Sequence, residues 1–122
     1  MEYSGLTEKI IGCAYRVYNR MGFGFLESVY EKCMLIELPK EGLNAESQKP
    51  ITVYYGDKVV GEFVADIVNN TVILELKSVR RIINAHEVQL VNYFVATRKP
   101  VGLILNFGER KVEVKRKVRE LE

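Results

Sequence analysis

The run Val72-Ile73-Leu74-Glu75-Leu76-Lys77 constrains this chain more than any other segment. Apolar residues at consecutive positions mark a strand covered on both faces, placed centrally in its sheet. Helical patterns elsewhere in the chain supply the covers. Leu6, Ile10, Ile11, Ala14, Val17, Tyr18 and Met21 recur at helical spacing, which predicts a first helix from about Leu6 to Met21. Gly22-Phe23-Gly24 breaks it, because glycine tolerates the positive φ of a tight turn. A second helix is expected from about Leu26 to Lys40, with Tyr30, Cys33, Met34 and Leu38 inward and Gly42 as its C-terminal cap. Ile51, Val53 and Tyr55 alternate with polar residues as a strand does, and Gly56-Asp57-Lys58 is a turn. Val59 to Val68 reads as the next strand, interrupted by Gly61, and Asn69-Asn70 as a two-residue turn into Val72 to Lys77. Asn84 opens a third helix, with Glu87 in the position of a capping-box acid and Val88, Leu90, Val91, Phe94 and Val95 on its apolar side. After Pro100, Val101 to Phe107 has a buried-strand pattern. Gly108 turns the chain, and Val112, Val114 and Val118 alternate with charges as in an outer strand. The expected fold class is α/β: a mixed central sheet of about five strands flanked by helices.

Composition narrows the field. A chain of 122 residues, 48% hydrophobic, fits one domain over residues 1–122 with a core of its own. No apolar run reaches the roughly 18 residues a membrane span needs. Met1 to Ile10 carries Glu2, Glu8 and Lys9 and lacks the apolar stretch of a signal peptide, so a cytoplasmic protein is expected. The two cysteines, Cys13 and Cys33, fall in helical patterns with apolar neighbours and form no CxxC, which reads as buried reduced thiols. A net charge of +2 does not announce nucleic-acid binding. Basic residues do cluster late, at Arg110, Lys111, Lys115, Arg116, Lys117 and Arg119, as either a charge-defended edge strand or a phosphate-facing surface.

Asp66, Glu75 and Lys77 carry the chemistry. Glu75 and Lys77 are two apart on a strand and share a face. With a two-residue turn at Asn69-Asn70, Asp66 pairs with Ile73 and lies diagonal to Glu75, roughly 7–8 Å away between Cα atoms. Carboxylates so placed can reach one ion. Burying charge in such apolar surroundings costs several kcal/mol unless something compensates. A salt bridge inside the core, or a strand face open to water, would also accommodate these charges. The string E-x-K is weak by itself, for it recurs at Glu109 and Glu113, but only Glu75 has an aspartate on the preceding strand. Oxygen donors of this kind suit Mg²⁺ or Mn²⁺.

At these residues the sequence resembles a known family. Asp66 followed by Glu75-Leu76-Lys77 looks like the core of the PD-(D/E)XK nucleases, with Ala65 in place of the proline common before the aspartate. Gly24-Phe25-Leu26-Glu27-Ser28-Val29-Tyr30 matches the G-x-x-E-x-x-Y signature of the GxxExxY family within that superfamily, and Gln89-Leu90-Val91-Asn92-Tyr93 matches the Q-x-x-x-Y string of RecB-type nuclease domains. Gly102 to Gly108 is similar to the family's closing strand. The resemblance implies a restriction-endonuclease-like fold and a Mg²⁺- or Mn²⁺-dependent hydrolase of phosphodiesters in DNA or RNA. It implies that Asp66, Glu75 and the Leu76 carbonyl bind metal, that Glu27 assists directly or through water, and that Lys77 is the catalytic lysine. Gln89 and Tyr93, four apart on one helix face, would line the site near substrate phosphate.

Several residues have plainer readings beside the functional ones. Glu27 also suits a helix N-terminus as an acid, Gln89 and Tyr93 suit ordinary packing, and Tyr30 suits the core or an orienting hydrogen bond. His86, the one histidine, reads as a surface or capping residue at a helix start. Arg80 and Arg81, just after the central strand, suit either phosphate contacts or a solvated loop. The competing functions are an inactive nucleic-acid-binding module and a protein-interaction module that retain the fold. So small a domain has no obvious substrate-recognition insertion, which leaves a homodimer or an unidentified partner protein to supply one.

Overall fold

The computed structural model describes residues 3–118, in the order α1 (Ser4–Met21), α2 (Glu27–Lys40), β1 (Glu46–Tyr55), β2 (Lys58–Val68), β3 (Val72–Lys77), α3 (Asn84–Thr97), β4 (Val101–Phe107) and β5 (Val112–Val118). Glu2 and Arg119 lie outside the described residues, as do the side chains of Val68 and Phe94. The five strands form one sheet in the order β1-β2-β3-β4-β5. All neighbours are antiparallel except β3 and β4, which run parallel with α3 as their crossover. The sheet is therefore mixed and helix-flanked, the architecture expected from the sequence.

The two faces are covered unequally. α1 and α2 lay Ile10, Ala14, Val17, Tyr30, Met34 and Leu38 over Val72, Leu74, Leu76, Leu103, Leu105 and Phe107. On the other face α3 contributes Leu90, packed with Ala65, Ile73 and Ile104. Alternation along β3 sends Val72, Leu74 and Leu76 to the thick core and Ile73 to the thin side, so Glu75 and Lys77 fall on the thin side. α3 leaves much of itself uncovered, with Val88, Val91 and Val95 exposed.

The link between β2 and β3 differs from the expected two-residue turn. Val68 pairs with Ile73 and Ile67 with Leu74, which leaves Asn69 to Val72 between the paired positions. Asn69 closes this loop twice: its backbone N–H donates to the Val72 carbonyl at 2.9 Å, and its side-chain oxygen accepts from the Thr71 N–H at 2.9 Å. The register is displaced by two residues, which preserves side-chain parity; continued past the last pair, Ile67–Leu74, it brings Asp66 level with Glu75 instead of Ile73.

Strand β2 also changes face at Asp66. Ala65 belongs to the cluster under α3, whereas Ile67 belongs to the cluster under α1 and α2. Two residues apart on a regular strand would share a face. The matching irregularity on β1 is Gln48, at φ 51, which is skipped between the pairs Ser47–Ile67 and Lys49–Ala65. The sheet thus opens around Asp66 on both sides.

The third helix starts differently from a capping box. Glu87 pairs with Lys117 of β5 at 3.0 Å, and the His86 Nδ1 accepts from the Ile83 N–H at 3.1 Å. His86 is thus a capping residue. Cys13 is buried and Cys33 half-buried, both as free thiols.

Candidate active site

The opening at Asp66 creates a small cavity of about 90 Å³ lined by Glu27, Ser28, Glu31, Gln48, Asp66 and Leu76. Where a ladder hydrogen bond would continue β2 against β3, the Asp66 carboxylate stands in and accepts from the Leu76 N–H at 2.8 Å. A backbone amide that would otherwise be orphaned is satisfied this way. The same bond fixes the aspartate beside Glu75.

Glu75 is 5% exposed, and its Oε1 is buried with no hydrogen-bond partner among the described residues. Burial pushes its carboxyl up to about 9, and the neighbouring Asp66 charge and a carboxyl–carboxyl hydrogen bond push the same way, against the pull of Lys77. Burial and the neighbouring Asp66 both favour the protonated form of Glu75. Tyr93 belongs to the same neighbourhood. Its phenol is raised above its ordinary value by burial and by the charges of Glu75 and Asp66, while a hydrogen bond from Gln89 opposes them. The Tyr93 ring stacks on Phe63 of β2 at 3.8 Å between centroids. Gln89 itself is exposed at the rim.

Local structure explains how Glu27 comes to the cavity. Gly22 and Gly24, at φ 71 and 112, make the turn between α1 and α2. The buried Tyr30 hydroxyl donates to the Gly22 carbonyl and accepts from the Phe25 N–H, and its ring stacks on Phe107 at 4.3 Å. Ser78, just past Lys77, donates to the Phe25 carbonyl at 2.8 Å. Gly24 and Tyr30 of the G-x-x-E-x-x-Y string, with Gly22 just before it and Ser78, therefore hold the start of α2 against the end of β3. Glu27, the first residue of α2, is exposed and lines the cavity together with Asp66.

The residues fall into two groups. Glu27, Asp66 and Leu76 line one cavity, with Glu75 beside Asp66, and Tyr93 with its partner Gln89 in the neighbourhood of the two carboxyls. Arg80 and Arg81 are exposed in a separate cleft of about 620 Å³ with Gly108, Glu109, Arg110 and Lys111. Of the other two E-x-K strings, Glu113 accepts from Asn106 at 2.9 Å and from the Ile82 N–H at 3.3 Å, and Glu109 lies 3.8 Å from Arg80. Neither resembles the Glu75 environment. Two residues of the cavity escape a reading of the sequence, Glu31 and Gln48, which hydrogen-bond each other at 2.7 Å. Glu31 is legible as the i+4 companion of Glu27 on one helix face. Gln48 is not, because its place depends on a left-handed backbone in β1.

The donor set fits a hard cation. Among the described residues, no three acidic, imidazole or thiol side chains are gathered around one point. Mg²⁺, however, ordinarily takes one or two protein carboxylates and completes its shell with water and substrate phosphate. The Asp66–Glu75 pair offers two, one of them with an orphaned buried oxygen. No described helix is long and apolar enough to cross a membrane.

Comparison with known proteins agrees with this geometry. No curated protein matches the sequence. Among solved structures, the chain described as the crystal structure of SSO0001 superposes with a TM-score of 0.57 at 20% identity, over 98% of this chain and 61% of that one. The present chain thus spans less than two thirds of that relative, and the likeness concerns the fold. The family model described as the PD-(D/E)XK nuclease superfamily matches residues 4–117, nearly the whole chain. With its mixed sheet and its Asp66, Glu75 and Lys77 in the expected strands, this chain belongs to the PD-(D/E)XK nuclease superfamily.

Proposed function

We propose that this chain, as one domain over residues 1–122, is a nuclease of the GxxExxY group that hydrolyses phosphodiester bonds in DNA or RNA with Mg²⁺ or Mn²⁺. The observation that carries the reading is the Asp66–Glu75 pair, with Glu75 buried, its Oε1 lacking a hydrogen-bond partner among the described residues, and a lysine two residues on. Such a pair is costly to fold unless a cation is to be held. When bound, the cation supplies positive charge to the phosphoryl oxygens and acidifies water.

The chain's own groups divide the remaining work. Asp66 and Glu75 would hold the ion, with the Leu76 carbonyl as a further donor, a role that requires Glu75 in its ionised form. Lys77 orients the attacking water and stabilises charge building on phosphorus. Glu27, which lines the same cavity as Asp66, would assist in holding the ion, directly or through water. Gln89 and Tyr93 position a substrate phosphate, and Arg80 and Arg81 steer the polyanion from their cleft. Action in the cytoplasm suits the two free thiols, which stay reduced there.

The test is cleavage of a mixed DNA and RNA panel with Mn²⁺ or Mg²⁺. Lys77→Ala should abolish cleavage, a loss on the order of 10²–10³ or more, while leaving metal binding by calorimetry largely intact. Asp66→Ala should lose both. Equal cleavage by wild type and Lys77→Ala would expose a contaminating nuclease. No cleavage together with no metal binding would leave the binding-module reading in its place.

A further inference from the structure

On the α3 side of the sheet lies a cleft of about 640 Å³, of whose lining the proposed chemistry uses only Tyr93. Its walls include Tyr54 of β1, Phe63 of β2, and Tyr93, Val95 and Arg98 at the end of α3. Tyr54 is 63% and Val95 72% exposed, so apolar surface stands open to solvent here. Phe63 and Tyr93 form one stacked unit at the back. That unit packs against Ala65, Ile73, Leu90 and Ile104, and Ala65 immediately precedes Asp66 in β2, so Tyr93 stands between the cleft and the carboxylate pair.

We propose that this cleft receives an unpaired nucleobase, so that the substrate is a single-stranded nucleic acid, DNA or RNA, whose next phosphate reaches Asp66 and Glu75. The inference rests on the nuclease reading and specifies its substrate class. Three observations select this occupant. The volume is that of a small-ligand pocket. The exposed aromatic ring of Tyr54 offers a flat face, the surface on which unpaired bases stack regardless of sequence. A base still paired in a duplex keeps its faces covered by its neighbours and cannot enter.

Arg98 is the third observation. It makes no ion pair or hydrogen bond with the other described residues and sits at φ 59, one position past α3. That left-handed position after a helix ordinarily favours glycine. An arginine at that position adds a cation to the cleft wall, as a phosphate flanking a stacked base requires.

Binding is measured by fluorescence anisotropy in a chelator, so that cleavage plays no part. The probes are a single-stranded oligonucleotide of about 12 nucleotides, as DNA and as RNA, its duplex, and an abasic strand of equal length. The single strand should bind at least about tenfold more tightly than the duplex, and Tyr54→Ala should weaken single-strand binding about 5- to 150-fold, the range of one lost stack. Tyr54→Ala should leave abasic binding unchanged. Arg98→Gly, which suits the backbone, should keep the melting temperature and lower the salt slope of single-strand binding by about one. Equal affinity for strand and duplex, or a Tyr54→Ala protein that binds both probes like wild type, overturns the proposal. Failure of the nuclease reading appears separately, as absence of cleavage and metal binding with a cleft that still prefers single strands.

Discussion

At Glu75, a carboxyl group is folded into a place that water does not reach. Its proton affinity is set by surroundings, first by burial and then by Asp66. Because the folded value of about 9 lies above the ordinary 4.5, the folded protein binds the extra proton between those limits and the unfolded chain does not. Stability of the metal-free protein should therefore be highest below about pH 4.5 as far as Glu75 is concerned, fall as pH rises toward 9, and level off above it. Urea midpoints collected in chelator across this range would measure it. Glu75→Gln, neutral and of the same shape, should flatten that slope. A slope unchanged in the variant would show that Glu75 is not its source. Asn106 shows the opposite handling of a buried polar group. It is 0% exposed, yet its amide takes both the N–H and the carbonyl of Val79, at 2.9 and 2.8 Å, and donates to Glu113 at 2.9 Å. Asn106→Ala should cost on the order of 2–4 kcal/mol in denaturant unfolding, since it leaves backbone groups of the loop after β3 without partners.

At the scale of elements, the turn between α1 and α2 decides where Glu27 stands. Tyr30 bonds the turn while its ring anchors to Phe107, and Ser78 ties the turn to the end of β3. Tyr30→Phe keeps the stacked ring and removes only the hydroxyl. It should destabilise by about 1–2 kcal/mol and reduce cleavage more than Km would explain, because the start of α2 is no longer fixed. Comparing kcat and Km with the unfolding midpoint separates the two effects. A variant that loses stability but keeps wild-type kcat would make Tyr30 a packing residue alone. The kinked segment around Gln48 and Asp66 is the other element that positions the site. There both neighbouring ladders lapse, and the aspartate side chain replaces a backbone partner.

For the whole molecule, the proposed ion links two strands through one pair of carboxylates. A ligand that binds only the folded state stabilises it by mass action. Mn²⁺ at a concentration about a hundredfold above its Kd should raise stability by about 2.7 kcal/mol. Thermal melts with and without metal, at constant ionic strength, would show this as an upward shift. Asp66→Ala should lose the shift and, in chelator at neutral pH, melt below wild type, because a protonated Glu75 leaves little repulsion to relieve and the Leu76 N–H loses its acceptor. An equal metal shift in Asp66→Ala would place the ion elsewhere.

The sequence by itself determined the order and type of the elements, because hydrophobic period is a local property and each segment here is strongly periodic. The strand Val72–Lys77 has the limits that its apolar run marks, and α1 starts only two residues before the first periodic leucine. It also determined that Asp66, Glu75 and Lys77 were exceptional, since charge inside an apolar strand is conspicuous without any coordinates. What only the tertiary structure decided was how these residues meet. The four-residue link at Asn69 to Val72 moved the register by two, and the change of face at Asp66 depends on Gln48, a strand away, adopting a left-handed backbone. Neither can be read from alternation, because a side chain bonding across a broken ladder obeys the neighbouring strand and not its own sequence. The separation of Arg80 and Arg81 into another cleft has the same origin. Asn106 and Glu113, distant in the chain, hold the loop after β3 and so settle the direction in which it leaves the sheet.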